Sequence, residues 1–163
     1  MVAMTGPADD DAPEPAPPSL LYVVKQLELA IRAQLDAVLR PSGVTALQYT
    51  SLTVLERRPT MTSADLARAS FVRAQSTADL VGALERRGLI HRTVDADNRR
   101  RLVISLTDEG RRFLDDYRPL VADVEERMLG ELDAAARESF RSYLRSCRGA
   151  LADLSRAAPA PGT

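Results

Sequence analysis

The sequence predicts a mainly helical α+β chain: three closely spaced helices, a two-stranded hairpin, and a long helical stretch at either end. Three observations carry this. Apolar residues recur at helical spacing over most of the 163 residues. The period shortens to two only between Gly88 and Thr107. The last helical stretch places Phe140, Leu144, Cys147, Leu151 and Leu154 in steps of 4, 3, 4 and 3, the seam of a helix lying lengthwise on another.

Residues 1–18 are rich in Pro, Ala and Asp and hold four acidic residues and no basic one, so a disordered tail is expected. Residues 157–163 read the same way. From Ser19 to about Arg40, Leu20, Val24, Leu27, Ile31, Leu35 and Val38 line one face of an amphipathic helix, which Pro41-Ser42-Gly43 ends. Thr45 and Gln48 form a capping box for a helix to about Leu55, with Tyr49, Leu52 and Leu55 inward. Thr62-Ser63-Ala64-Asp65 opens a short helix to about Ala69. A further helix, roughly Arg73 to Arg87, buries Thr77, Leu80, Val81 and Leu84, and Gly88 supplies its left-handed cap.

Ile90–Val94 and Leu102–Leu106 read as strands around a polar, Arg-tipped turn. Thr107, Asp108 and Glu109 start another helix, whose face is Phe113, Tyr117, Val121, Val124 and Met128. Pro119 falls inside it, which predicts a kink or break near 115–119. Asp133 caps the last helix, to about Arg156.

Three short helices and a hairpin, in that order, make a winged helix-turn-helix. The expected organisation is an N-terminal dimerisation helix (19–43), a DNA-binding lobe (44–106) and C-terminal dimerisation helices (107–156). The third helix of the lobe can lie in a major groove, where base edges are distinguishable. The aliphatic seams at both ends need burial, which a symmetric homodimer supplies.

Composition bounds the function. One His and one Cys exclude a tetrahedral Cys/His zinc site within one chain and leave little material for a catalytic triad. No metal, cofactor or enzymatic activity is expected. No apolar stretch is long enough to span a membrane and no secretory leader is evident, so the expected compartment is the cytoplasm. The net charge of −1 does not announce a nucleic-acid binder. Its distribution does: residues 62–101 hold eight basic and five acidic residues, whereas residues 1–20 hold only acidic ones. Of the 22 basic residues 21 are Arg, and three of them, Arg99, Arg100 and Arg101, stand together at the hairpin tip.

The segments VTALQYTSLTVLERRPTMTSADLARA, STADLVGALERRGLIHR and DADNRRRLVISLTDEGRRFL resemble the MarR family of bacterial transcriptional regulators. The resemblance covers residues 20–155 in architecture and 44–114 in motif. It implies a homodimeric repressor on a pseudo-palindromic operator in double-stranded DNA, often released by a small aromatic or anionic effector. The family's wing carries Asp-x-Arg. Here Arg100 takes the Arg position with Arg99 as neighbour, and Asn98 departs from the Asp, leaving Asp95 or Asp97 to replace it. The implied base-reading positions are Ala74, Gln75, Ser76 and Asp79, with Arg73 before them. Gln suits adenine and Asp suits cytosine. The effector site implied lies near Tyr22, Arg32, Tyr49, Arg111, Phe113 and Tyr117. Two alternatives stay open: a winged-helix module that binds protein, and a redox-responsive regulator using Cys147. On its seam Cys147 reads as a small buried apolar residue.

Overall fold

A computed structural model describes residues 17–70 and 74–157, without the side chains of residues 74, 75 and 154–157. Residues 1–16 of the tail expected over 1–18, residues 158–163 of the tail expected over 157–163, and the DNA-contact candidate Arg73 lie outside the described residues, while Ala157 is the last residue of α6. The order of elements is α1 (Leu20–Leu39), one 3-10 turn (Arg40–Ser42), α2 (Ala46–Arg57), α3 (Ser63–Ser70), α4 (Ala74–Arg86), β1 (Ile90–Val94), β2 (Leu102–Leu106), α5 (Asp108–Met128) and α6 (Ala134–Ala157). This is the winged helix-turn-helix with long terminal helices that the sequence predicts.

Local chemistry sets the boundaries. Ser19 caps α1, its hydroxyl accepting from the Tyr22 N–H. Thr45 and Gln48 form the expected capping box at α2, each side chain accepting from the other's backbone N–H. Gly88, at φ 71°, ends α4: its own N–H reaches the Glu85 carbonyl at 2.9 Å, and the Leu89 N–H reaches Leu84 at 3.1 Å. That pair of bonds is the Schellman ending, and it turns Leu89 into the core. Thr107 then caps α5 through the Gly110 N–H, while its hydroxyl donates to the Gly88 carbonyl. Gly110 has no room for a side chain: an added Cβ would lie 2.1 Å from the Leu89 carbonyl oxygen. The Thr-x-x-Gly spacing is therefore a packing requirement between the end of α4 and the start of α5.

The core lies where α2, α3, α4 and the hairpin meet. Leu52, Leu66, Leu84 and Ile104 are fully buried there, with Leu39 from α1 and Leu114 from α5 closing it. Each such side chain is worth about 1.5–3 kcal/mol of transfer free energy. The hairpin is antiparallel, pairing Ile90 with Leu106 and Val94 with Leu102. Met61 adds a single bridge on Ile104.

Two expectations are corrected. α5 runs through Pro119 as one helix, so the expected local break is absent. Arg118, one residue earlier, donates to both Glu56 on α2 (2.8 Å) and Asp115 (3.2 Å), bracing the turn that the missing hydrogen bond weakens. Cys147 is exposed in the single chain rather than buried, as are Tyr143, Leu144 and Leu151 beside it. Of the seam, Leu144, Cys147 and Leu151 are left exposed by the single chain.

Candidate nucleic-acid interface

Helix α4 is held by one face and presents the other. Thr77, Leu80, Val81 and Leu84 are buried, whereas Ser76, Asp79 and Arg86 are exposed. Ala74 and Gln75 open the helix, so their backbone lies on the same first turn as Ser76. The preceding helix is fixed by a reciprocal cap. The Thr62 hydroxyl accepts from the Asp65 N–H, and the Asp65 carboxylate accepts from the Thr62 N–H at 3.1 Å and its hydroxyl at 2.5 Å. These bonds, with Arg68 alongside, pull the Asp65 carboxyl down to about 2.

The hairpin forms the wing. Its turn is built from backbone bonds: the Asp95 N–H donates to the Arg101 carbonyl and the Arg101 N–H to the Asn98 carbonyl, both at 2.8 Å. The Asn98 side chain accepts from the Arg100 backbone N–H at 3.1 Å, and Asp95 accepts from the Asp97 N–H at 3.0 Å. Asn98 thus shapes the turn under Arg100 and does not hold its guanidinium. A neutral amide serves this purpose as well as a carboxylate would. Arg99 and Arg100 are exposed, and neither forms an ion pair among the described residues.

Arg101 behaves differently from its two neighbours. It lies 3.1 Å from Asp65 on α3 and 3.7 Å from Asp95 at the end of β1. A second tie joins the wing to α4, where Arg92 forks onto both oxygens of Glu85. That bond lowers the Glu85 pKa and raises that of Arg92. Neither tie was visible in the sequence: 36 residues separate Asp65 from Arg101, seven separate Glu85 from Arg92 across the end of α4, and no local pattern marks either pair.

The six effector candidates are not gathered at one point. Tyr49, Phe113 and Tyr117 form an aromatic run, with centroid distances of 6.5 and 4.7 Å. Burial pushes the Tyr49 phenol pKa up. Tyr22 is exposed near the start of α1, its hydroxyl accepting from Gln26. Arg111 donates to the Leu106 carbonyl and sits 3.7 Å from Asp108. Arg32 lines an apolar cleft of about 370 Å³ between α1 and α2, walled by Leu27, Ile31 and Leu47 and touched by Leu144 of α6. No helix among the described residues is long and apolar enough to cross a membrane.

The family model described as MarR family matches residues 42–101, the span from the last residue of the 3-10 turn after α1 through the wing turn. The HTH-type transcriptional repressor Rv2887 of Mycobacterium tuberculosis (strain H37Rv) is 29% identical over 135 residues, 83% of this chain and 93% of its own. The transcriptional regulator HosA of Escherichia coli O127:H6 is 30% identical over 102 residues, 63% of this chain and 76% of its own. Among solved structures, the repressor CouR on a 23-mer DNA duplex superposes with a TM-score of 0.73 at 27% identity, covering 80% of this chain and 92% of that one. CouR of Rhodococcus jostii RHA1 is also solved with p-coumaroyl-CoA, at a TM-score of 0.72.

Proposed function

Because the chain belongs to the MarR family of transcriptional regulators, we propose that it is a homodimeric repressor whose two winged lobes grip a pseudo-palindromic operator and let go when a small molecule binds. The observation that carries this reading is the wing tip. Two guanidinium groups, Arg99 and Arg100, stand exposed and unpaired among the described residues, beside a helix with a buried apolar face and an exposed polar one. Such a surface can place α4 in a major groove and the wing on adjacent phosphates or in the minor groove. Arg73, Ala74, Gln75, Ser76 and Asp79 form the base-reading set, and Asn98, Arg99 and Arg100 the wing set. The exposed apolar residues of α1 and α6 support dimerisation, which sets two reading helices about 34–36 Å apart. The cleft beside Arg32 supports an effector site for a largely apolar molecule with an anionic group. CouR, a relative with both a DNA complex and a small-molecule complex, supports the coupling of the two events.

The test is selection of genomic fragments by the purified protein, followed by affinity measured against salt. An inverted repeat should emerge, and log affinity should fall steeply with log salt, by about 0.9 per phosphate neutralised. Arg100→Ala should make that slope shallower by about 0.9. Gln75→Ala should relax sequence preference at one position while leaving the slope unchanged. Failure to select any fragment with salt-sensitive binding overturns the reading.

A further inference from the structure

We propose that Arg101 is a positioning residue and not a DNA contact: it braces the wing against α3 through Asp65, and so sets where Arg99 and Arg100 stand relative to α4. The inference rests on the DNA-binding reading above and assigns different roles to three adjacent arginines.

The geometry separates Arg101 from its neighbours. Its backbone is engaged on both sides, the N–H on the Asn98 carbonyl and the carbonyl on the Asp95 N–H. Its guanidinium is turned back onto two carboxylates from two other segments, Asp65 of α3 at 3.1 Å and Asp95 at 3.7 Å. Those carboxylates are the more sheltered partners, with side chains 31% and 20% exposed against 46% for Arg101. A planar fork with donors on several nitrogens can serve both at once, which an ammonium on a flexible stem does poorly.

The anchor is itself held at several points. Asp65 is held by the Thr62 N–H and hydroxyl, and Arg68 occupies its other oxygen at 2.5 Å. One residue on, Leu66 is fully buried in the core that also receives Leu80, Val81 and Leu84 of α4. The brace therefore runs from the wing, through α3, to the body that carries the reading helix. Arg92 on Glu85 ties the same wing to the last turns of α4. One tie alone would leave a hinge, and two at different points fix an angle. DNA binding needs that angle, because the wing tip and α4 must occupy neighbouring grooves together. A wing held in place before binding spares the ordering cost on binding.

The experiment compares Arg101→Gln, Asp65→Asn, the double variant and Arg101→Lys, each as the full chain. Asn at position 65 keeps an oxygen for the Thr62 N–H and removes the charge. On the selected fragment, each single variant should bind about two- to fivefold more weakly, the range of an exposed ion pair. The salt slope should stay that of wild type. The double variant should be no weaker than the weaker single, and Arg101→Lys should recover part of the loss. A slope shallower by about 0.9 for Arg101→Gln would instead make Arg101 a phosphate contact and overturn the proposal. Additive losses in the double variant would do the same. Amide exchange in the DNA-free protein gives an independent reading. Arg101→Gln should speed exchange at Asp95 and Arg101 and leave Leu84 unchanged, and unchanged exchange at the wing would sink the brace. A wild type that selects no DNA defeats the DNA-binding reading, whereas the exchange result still decides whether the brace exists.

Discussion

Leu52, Leu66, Leu84 and Ile104 in the winged lobe have no exposed surface, whereas Leu20 and Leu21 at the start of α1 are 81% exposed and Leu151 on α6 is 60% exposed. The lobe also closes its helix ends within the chain, through Thr45, Thr62, Gly88 and Thr107. α6 is fastened mainly at its base, where Arg137 reaches Glu126 and the carbonyls of Leu129 and Leu132. Beyond that, Leu144, Cys147 and Leu151 of the seam read in the sequence are exposed in the single chain. The contrast teaches that the two regions differ in how far one chain buries their apolar residues. One is complete by itself, and the other carries exposed apolar residues that the proposed homodimer would cover with a second copy of the same seam. Association and DNA binding then become one linked equilibrium.

The largest effect should come from breaking that interface. Leu144→Glu combined with Leu151→Glu places two charges on the seam. The variant should sediment as a monomer and bind the operator at least about a hundredfold more weakly, since avidity between half-sites is lost. The Cys147 thiol, exposed in one chain, should react slowly with a thiol reagent in the wild type if the proposed dimer covers it, and fast in the variant. Amide protection at Leu52 and Leu84 should survive. A variant that stays dimeric would show that the seam is not the interface.

A smaller effect comes from making the same substitution where α5 packs on the lobe and far out on α6. In Gly110→Ala the new methyl meets the Leu89 carbonyl, whose oxygen also accepts from the Thr107 N–H at 3.2 Å. Denaturant unfolding should show a loss of about 1–3 kcal/mol. In α6, a Cβ at Gly149 meets nothing within 4 Å. Gly149→Ala should therefore stabilise by up to about 1 kcal/mol, the helix-propensity gain. Equal losses at both positions would mean that Gly149 is closely packed in the dimer, and would dissolve the contrast at that point.

What was legible in the sequence follows the range of each interaction. The capping box at Thr45, the left-handed Gly88, the cap at Thr107 and both strand limits rest on residues within five positions of each other, and all were readable. The split among Arg99, Arg100 and Arg101 was not, because it depends on Asp65 across the fold. Nor was the tie from Arg87 to the Ser42 carbonyl, 45 residues away, which fastens the end of α4 to the turn after α1. The effector candidates were chosen by residue type, and type says nothing of convergence. Tyr22 and Arg32 are ten residues apart on one helix, about 15 Å along its axis, while Arg111 serves the start of α5.

The smallest predicted effect is a pH dependence that belongs to the lobe. The Asp65 carboxyl is held at about 2, below its ordinary 3.8, first by the Thr62 hydroxyl, then by the Thr62 N–H and Arg68. The folded state thus favours the charged form. Its contribution is complete above the ordinary carboxylate range and is lost as pH falls from about 4 through about 2. The stability difference between wild type and Asp65→Asn, followed by far-ultraviolet circular dichroism in denaturant, should be constant near neutrality, shrink over that window and vanish below it. Taking the difference cancels the titration of groups common to both proteins. In α1 the Glu28 carboxyl is lowered mainly by Lys25, one turn away on the same helix, and its side chain is about half exposed. Glu28→Gln should therefore show a smaller gap that salt largely erases. If instead the two gaps match in size and salt sensitivity, Asp65 is an ordinary surface carboxylate. The lobe's cross-element bonds would then add no more than a pair within a single helix does.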